Sequence, residues 1–374
     1  MTAPIATMKS DDKHRETLAI LVGGGPAPGI NGVIASATIE AIKCGLRVVG
    51  LRDGYRWLVE GDTGHVVELE LEEVSRIHFT GGSILRTSRT NPAKHPDGLQ
   101  HCAENLKKHG CDALIAIGGD DTLSVAQKLF ANDVKVVGVP KTIDNDLAGT
   151  DFTFGFDTAV NIATEAIDRV HTTAEAHNRV IVVEVMGRDS GWIAAYSGIA
   201  GGADVILIPE VPFDIDQVAE LIRQRHARGR YFSIIVAAEG AKFADGIEKH
   251  GGVSVLQAGR DDFGHLRLGG IGSTLASEIE KRTGFESRSV VLGHIQRGGS
   301  PSAYDRVLAT RYGLGAIDMV HRGEFGQMAA LRGNKIISIP LAEAIASNRK
   351  VDKEILDAAI GILDKLDYKV SQVS

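Results

Sequence analysis

From Leu18 onward the chain repeats one pattern: a short apolar run, a glycine-rich or polar turn, then a segment whose apolar positions recur at the helical period. That order is the signature of strand–loop–helix units built around a parallel sheet. TLAILV leads into GGGPAPGING and the helical VIASATIEAIK, and LRVVGL reads as a further strand. DALIAI leads into GGDDT and its helix, and VKVVGVP leads into KTIDND. Four predicted strands thus end in polar or glycine-rich loops, and open α/β sheets bind ligands at that end of their strands.

A second series follows. TAVNIATEAIDRVHTTAEAHN reads as a helix, RVIVVEVMGR and ADVILIPE as strands, DIDQVAELIRQRHARG as a helix and RYFSIIVAAEG as a strand. The pattern predicts a second α/β lobe. Residues 241–274 are rich in glycine and charge and read as an insertion, and no internal repeat or low-complexity tract is present.

Composition narrows the class. With 374 residues, 43% hydrophobic content and 44 glycines, the chain is long enough for two domains. A net charge of −7 argues against nucleic acid and membrane surfaces, which attract basic patches. A small anionic substrate stays open, because local arginines outweigh a global sign. Cys44, Cys102 and Cys111 form no CxxC pair, which fits a reducing compartment and neither a disulfide framework nor a zinc site. The N-terminus lacks the apolar core of a signal peptide, and no segment approaches the ~20 apolar residues that cross a bilayer. The expected location is the cytoplasm, with a flexible segment over residues 1–17.

Several segments bear chemistry. GGGPAPGIN at 23–31 offers backbone N–H groups and a helix N-terminus to an anion, or is simply a tight strand-to-helix turn. GGDDT at 118–122 places two carboxylates where phosphates would sit, which repels them unless a cation intervenes. TIDND at 142–146 sets Asp144 and Asp146 two apart, so an extended backbone points both carboxylates to one side; an Asx-turn or helix cap explains them equally. Phosphoryl transfer needs one carboxylate near the attacking hydroxyl and another for Mg²⁺, and the two loops supply both. Arg179, Arg188 of MGRDSG, Glu239, Arg288 and Arg297 of LGHIQRGGS sit at strand ends, where arginines suit phosphate oxygens or are merely solvated charges. His294, Gln296 and Arg297 running into a double glycine serve no evident packing need.

Taken in order, GGPAPGIN, GGSILRTSR, GGDD, PKTIDND, MGR, AEG and LGHIQRGGSPSAYDR resemble the phosphofructokinase family from about residue 18 to 320. The resemblance implies two Rossmann-like, three-layer α/β/α lobes with mainly parallel sheets and the active site in the cleft between them. A donor lobe would span 18–155 plus about 296–346. A sugar-phosphate lobe would span about 156–295 plus 347–374. The implied reaction is phosphate transfer to the 1-hydroxyl of fructose 6-phosphate, with Mg²⁺ as cofactor.

The resemblance also implies roles. Asp144 stands where the family has its catalytic base, Thr142 and Asp146 beside it in the sugar site, and Asp120 where it has the Mg²⁺-associated carboxylate. Met186, Gly187, Arg188, Glu239, His294, Gln296 and Arg297 fall at sugar-phosphate positions, and Gly25, Arg89 and Gly119 on the donor side. Arg179 and Arg288 resemble arginines that reach into a neighbouring subunit, so a homo-oligomer with shared sites is expected.

Two positions bear on the donor. ATP-using members usually read GGDG where this chain reads GGDD, and many read PGTIDND where it reads PKTIDND. A carboxylate at Asp121 would occupy the place of the donor's α-phosphate and repel it, whereas pyrophosphate has none. Lys141 adds a compact positive charge beside the transferring group. The combination resembles the pyrophosphate-dependent branch, and Asp121 decides the donor, since some ATP-using relatives also carry the lysine.

The helix after the first glycine loop has no arginine until Arg47, so the effector site of the allosteric bacterial enzymes is expected to be absent. Arg86 stands where many relatives have glycine. The rival readings are an ATP-dependent phosphofructokinase, a lipid or NAD kinase with a GGDG-like turn, and a non-catalytic sugar-phosphate-binding regulator. HIQRGG together with TIDND argues against the second, and the presence of both Asp120 and Asp144 against the third.

Overall fold

The computed structural model describes residues 15–250 and 270–362. The predicted flexible start through residue 14, the middle of the predicted insertion (251–269) and the tail beyond 362 lie outside the described residues. Two sheets organise what is described. The larger contains β1 (Thr17–Val22), β2 (Arg47–Leu51), β3 (Val66–Glu68), β4 (Cys111–Gly118), β5 (Val136–Pro140), β10 (Gln327–Arg332) and β11 (Lys335–Pro340). Its order is β11-β10-β5-β4-β1-β2-β3, parallel except for the edge strands β3 and β11. The smaller, wholly parallel sheet has the order β7-β8-β6-β9, from β6 (Val180–Val185), β7 (Val205–Leu207), β8 (Ser233–Ala238) and β9 (Ser287–Val291).

Alternation along the strands builds the layers. In β1, Leu18, Ile20 and Val22 enter one core with Ile30 and Val33 of helix Ile30–Lys43 and Leu308 and Tyr312 of helix Ala303–Arg322. Ala19 and Leu21 enter the opposite core with Leu106 of helix Gly98–Lys108 and Leu123 of helix Asp120–Phe130. In β6, Ile181 and Val183 face one core and Val180 and Val182 the other. Both sheets are thus covered on both faces, which is why their strands read as unbroken apolar runs. Each such buried aliphatic side chain contributes about 1.5–3 kcal/mol over leaving it in water.

The chain passes from the larger sheet to the smaller after β5 and back after β9. Asp305 ties the two passages together. Its buried carboxylate accepts from the N–H groups of Gly155 (2.9 Å) and Thr158 (2.8 Å), capping helix Phe156–His177, whose own N-cap is a glycine. A last crossing runs from Leu341 to Val351, and Val351, Ile355 and Leu356 join the core beneath the smaller sheet. Among the described residues no helix is long and apolar enough to cross a membrane.

Candidate active site

Because β1, β4 and β5 are parallel neighbours, their C-terminal ends present the glycine loop, GGDDT and TIDND side by side. The C-terminal ends of β6 and β8 bring MGRDSG and Glu239 from the smaller sheet, and the turn Gly293–Arg297 after β9 brings Arg297. One cavity collects Gly25, Arg89, Gly119, Asp120, Asp121, Lys141, Thr142, Asp144, Asp146, Arg188, Glu239 and Arg297.

Local chemistry shapes each wall. Gly29 caps helix Ile30–Lys43 at φ +104°, where a Cβ would come within 2.8 Å of the Phe154 ring, so only glycine lets the loop turn there. Asp120 and Asp121 occupy the first turn of helix Asp120–Phe130, whose cap Gly119 supplies no side-chain acceptor. Their carboxylates fill the positive end of that helix, which would otherwise attract an anion. Lys141 is buried, and its ammonium donates to the Gly25 carbonyl at 2.5 Å. Burial first, and Arg297 next, push its pKa down to about 7, against a smaller upward pull from Asp144.

The TIDND turn is held from within. Thr142 Oγ1 accepts the N–H of Asp144 at 3.1 Å, and the Thr142 hydroxyl bonds the Asp146 carboxylate. Asn145 sits at φ +51°, and its Oδ1 accepts the Thr153 N–H at 3.0 Å, which locks the turn. From the other sheet, Ser190 donates to the Asp144 carbonyl at 3.1 Å. Asp144 Oδ2 lies 3.9 Å from Arg297 Nη2. Asp144 Oδ1, Arg188 Nε and Arg297 Nε are buried without a hydrogen-bond partner among the described residues. Unmatched buried groups of opposite sign facing one cavity are suited to a ligand that supplies the missing partners.

Burial and the nearby Asp144 push Asp146 up to about 7, with Asp120 adding to the rise. Burial and Asp144 push Glu239 up to about 6. Among the described residues no three Asp, Glu, His or Cys side chains are close enough to cage a metal by themselves. The all-oxygen, mutually repelling set of Asp120, Asp144 and Asp146 fits a hard divalent cation held by one or two carboxylates and completed by phosphate oxygens and water.

Six expected residues do not line the cavity. Met186 and Gly187 are buried, and His294 is exposed. Gln296, expected at a sugar-phosphate position, does not reach the cavity wall. It is fully buried, its Oε1 accepts the Met186 N–H at 3.4 Å, and its Nε2 donates to the Gly293 carbonyl at 3.1 Å. It braces the Arg297 turn. Arg179 and Arg288 stand at the N-terminal ends of β6 and β9, the end away from the cavity, and both pair with Glu286. The six residues of β6 put Arg179 roughly 20 Å from its own cavity at ~3.3 Å per residue.

The cavity also takes in Gly24, Thr122, Asp189 and Asn348, which sequence reasoning did not single out. The first three lie within GGGPAPGIN, GGDDT and MGRDSG. Asn348 belongs to none. Arg86 has its backbone at φ +57°, a region that glycine enters without strain, and its exposed side chain is not part of the cavity wall.

Comparison with known proteins agrees with this geometry. A family model described as phosphofructokinase matches residues 17–320. The chain is 54% identical over 344 residues to a pyrophosphate–fructose 6-phosphate 1-phosphotransferase of Amycolatopsis methanolica, covering 91% of this chain and 98% of that protein. It is 49% identical over 335 residues to an ATP-dependent 6-phosphofructokinase of Streptomyces coelicolor, covering 89% of this chain and 96% of the relative. The crystal structure of a pyrophosphate-dependent phosphofructokinase from Nitrosospira multiformis superposes with a TM-score of 0.78 at 20% identity, covering 96% of this chain and 94% of the other, which speaks for the fold alone. The cavity, the motifs and these matches together place the chain in the phosphofructokinase family.

Proposed function

We propose that the chain transfers a phosphoryl group reversibly between pyrophosphate and the 1-hydroxyl of fructose 6-phosphate, with Mg²⁺. The observation that carries the choice of donor is Asp121, a carboxylate on the cavity wall in the first turn of the helix after β4. Similarity alone divides between the donors, since relatives of both kinds align over most of the chain. A negative charge beside the phosphate site penalises the longer nucleotide and spares pyrophosphate.

In this reading Asp144 Oδ1, buried and unpartnered, accepts the proton of the 1-hydroxyl. The sugar oxygen bonds to the terminal phosphorus, the bond to the bridging oxygen breaks, and its electron pair leaves with inorganic phosphate. Lys141, Arg89 and Arg297 offset the charge that builds on the phosphoryl oxygens. Asp120 would hold Mg²⁺, with Asp146 beside it in the sugar site, and the bound ion would supply charge neutralisation at the phosphate groups. Phosphorus NMR of protein, Mg²⁺, pyrophosphate and fructose 6-phosphate should show the bisphosphate and inorganic phosphate rising together. No product with the cation present would contradict the reaction, and equal turnover after chelation would contradict the metal.

The charge on Lys141 gives a pH signature. Its ammonium is present below a pKa of about 7 and lost above it. The kcat/KM for pyrophosphate, which reports the free enzyme, should therefore fall on the alkaline side near that value. Lys141→Arg keeps its charge and should flatten that limb; an unchanged limb would remove Lys141 from it.

The placement of Arg179 and Arg288 supports a site completed by a second copy, because neither reaches its own cavity while paired guanidinium groups suit a 6-phosphate dianion. Mixing Asp144→Ser with Arg179→Ala subunits should restore part of the activity that each lacks. No recovery under proven subunit exchange counts against shared sites.

A further inference from the structure

The segment 347–351, SNRKV, lies beyond the residues that the family model matches, yet it crosses the mouth of the cavity. Its backbone pairs with the TIDND loop: Asn348 bridges to Leu147, and the Arg349 N–H donates to the Asp146 carbonyl at 2.7 Å. The same residues grip the opposite wall. The Arg349 guanidinium stacks over the Trp192 ring at 4.3 Å, and the Trp192 indole N–H donates to the Arg349 carbonyl at 3.3 Å. Lys350 Nζ donates to the Asp189 carbonyl at 2.9 Å, and the Val351 N–H donates to Glu210 at 3.2 Å. The segment is a strap fastened at both ends, with Asn348 at the point where it passes the cavity.

The remaining side chains of the wall are carboxylates, guanidinium groups, an ammonium and threonine hydroxyls around bare glycines. Charged groups of that kind suit phosphates and a cation. A sugar also carries neutral hydroxyls, each both donor and acceptor. Asn348 is the one carboxamide among the described lining residues, and a carboxamide offers both roles at once. Its exposed side chain is borne on a backbone fixed by the contacts above, so its position needs no rearrangement on binding.

We propose that Asn348 is an acceptor-specificity residue, hydrogen-bonded to a hydroxyl of the sugar phosphate and not to the phosphate donor. The inference rests on the phosphofructokinase reading of the cavity. A single neutral hydrogen bond is worth on the order of 1 kcal/mol, which sets the scale at about five- to tenfold.

Steady-state kinetics and calorimetric binding of fructose 6-phosphate in the absence of donor test it with the wild type, Asn348→Ala and, as a strap control, Ser347→Ala. Asn348→Ala should raise the KM and the dissociation constant of fructose 6-phosphate about five- to tenfold, leave the KM for pyrophosphate unchanged, and keep the thermal midpoint, since the side chain is exposed. Ser347→Ala should match the wild type. An unchanged sugar KM in Asn348→Ala, or a change confined to pyrophosphate, overturns the assignment even when the wild type turns over normally. A wild type that neither binds fructose 6-phosphate nor turns it over defeats the functional reading itself.

Discussion

Replacing Asp144 by Ser is expected to lower turnover by a factor on the order of 10²–10⁴, the range for losing a general base. The sugar should still bind with an affinity within a few-fold of normal. The expectation rests on the geometry: Oδ1 is buried and unpartnered toward the cavity, Oδ2 is near Arg297, and the main chain is fixed by Thr142 and Ser190. Removing the carboxylate therefore deletes a proton acceptor without releasing the turn that carries it. Rapid-quench single-turnover rates with saturating substrates measure the chemical step directly. Near-normal turnover in Asp144→Ser would take this residue out of the mechanism.

Asp121→Gly is expected to weaken pyrophosphate use and open the cavity to ATP. In the wild type its carboxylate and that of Asp120 share the first helical turn facing the donor side. Glycine there removes both bulk and charge. Lys141→Gly should behave differently, because the buried ammonium bonded to the Gly25 carbonyl is lost while the obstruction stays, so pyrophosphate turnover falls with no gain in ATP use. Combined with Asp121→Gly it should couple non-additively, since both positions line one donor site. Rates with each donor for the two single variants and the double variant decide the point. A gain of ATP use in Lys141→Gly alone would contradict the division of roles.

Seven of the strands were legible because each is a compact apolar run closed by a turn, as in TLAILV and DALIAI. Strand β9 was not, because SRSVV is half polar and lies at the edge of the smaller sheet, where one side of the ladder is open. The C-terminal hairpin of β10 and β11 was missed although its signal is present. Two apolar runs, MAAL and IISI, flank a Gly333–Asn334 turn, and Gly333 has φ +56°.

Within the cavity, the residues on the loops after β1, β4, β5, β6 and β8 were readable, since parallel strands carry their polar loops to one edge. The placement of Gln296 was not legible for a physical reason. In HIQRGG its polarity suggests a ligand, and only the tertiary structure shows both ends of the amide spent on backbone groups. Asn348 gave no local signal at all, because the strap owes its position to contacts between residues more than 150 positions apart in sequence, Arg349 with both Asp146 and Trp192.

The central claim is that this cavity takes its phosphate from pyrophosphate. Steady-state kcat/KM for pyrophosphate, ATP and ADP, measured separately on the unaltered protein with Mg²⁺ and saturating fructose 6-phosphate, tests it most directly. Pyrophosphate should be the preferred donor by orders of magnitude, with ATP and ADP near background. A wild-type protein that prefers ATP would contradict the part assigned to Asp121, whatever its variants do.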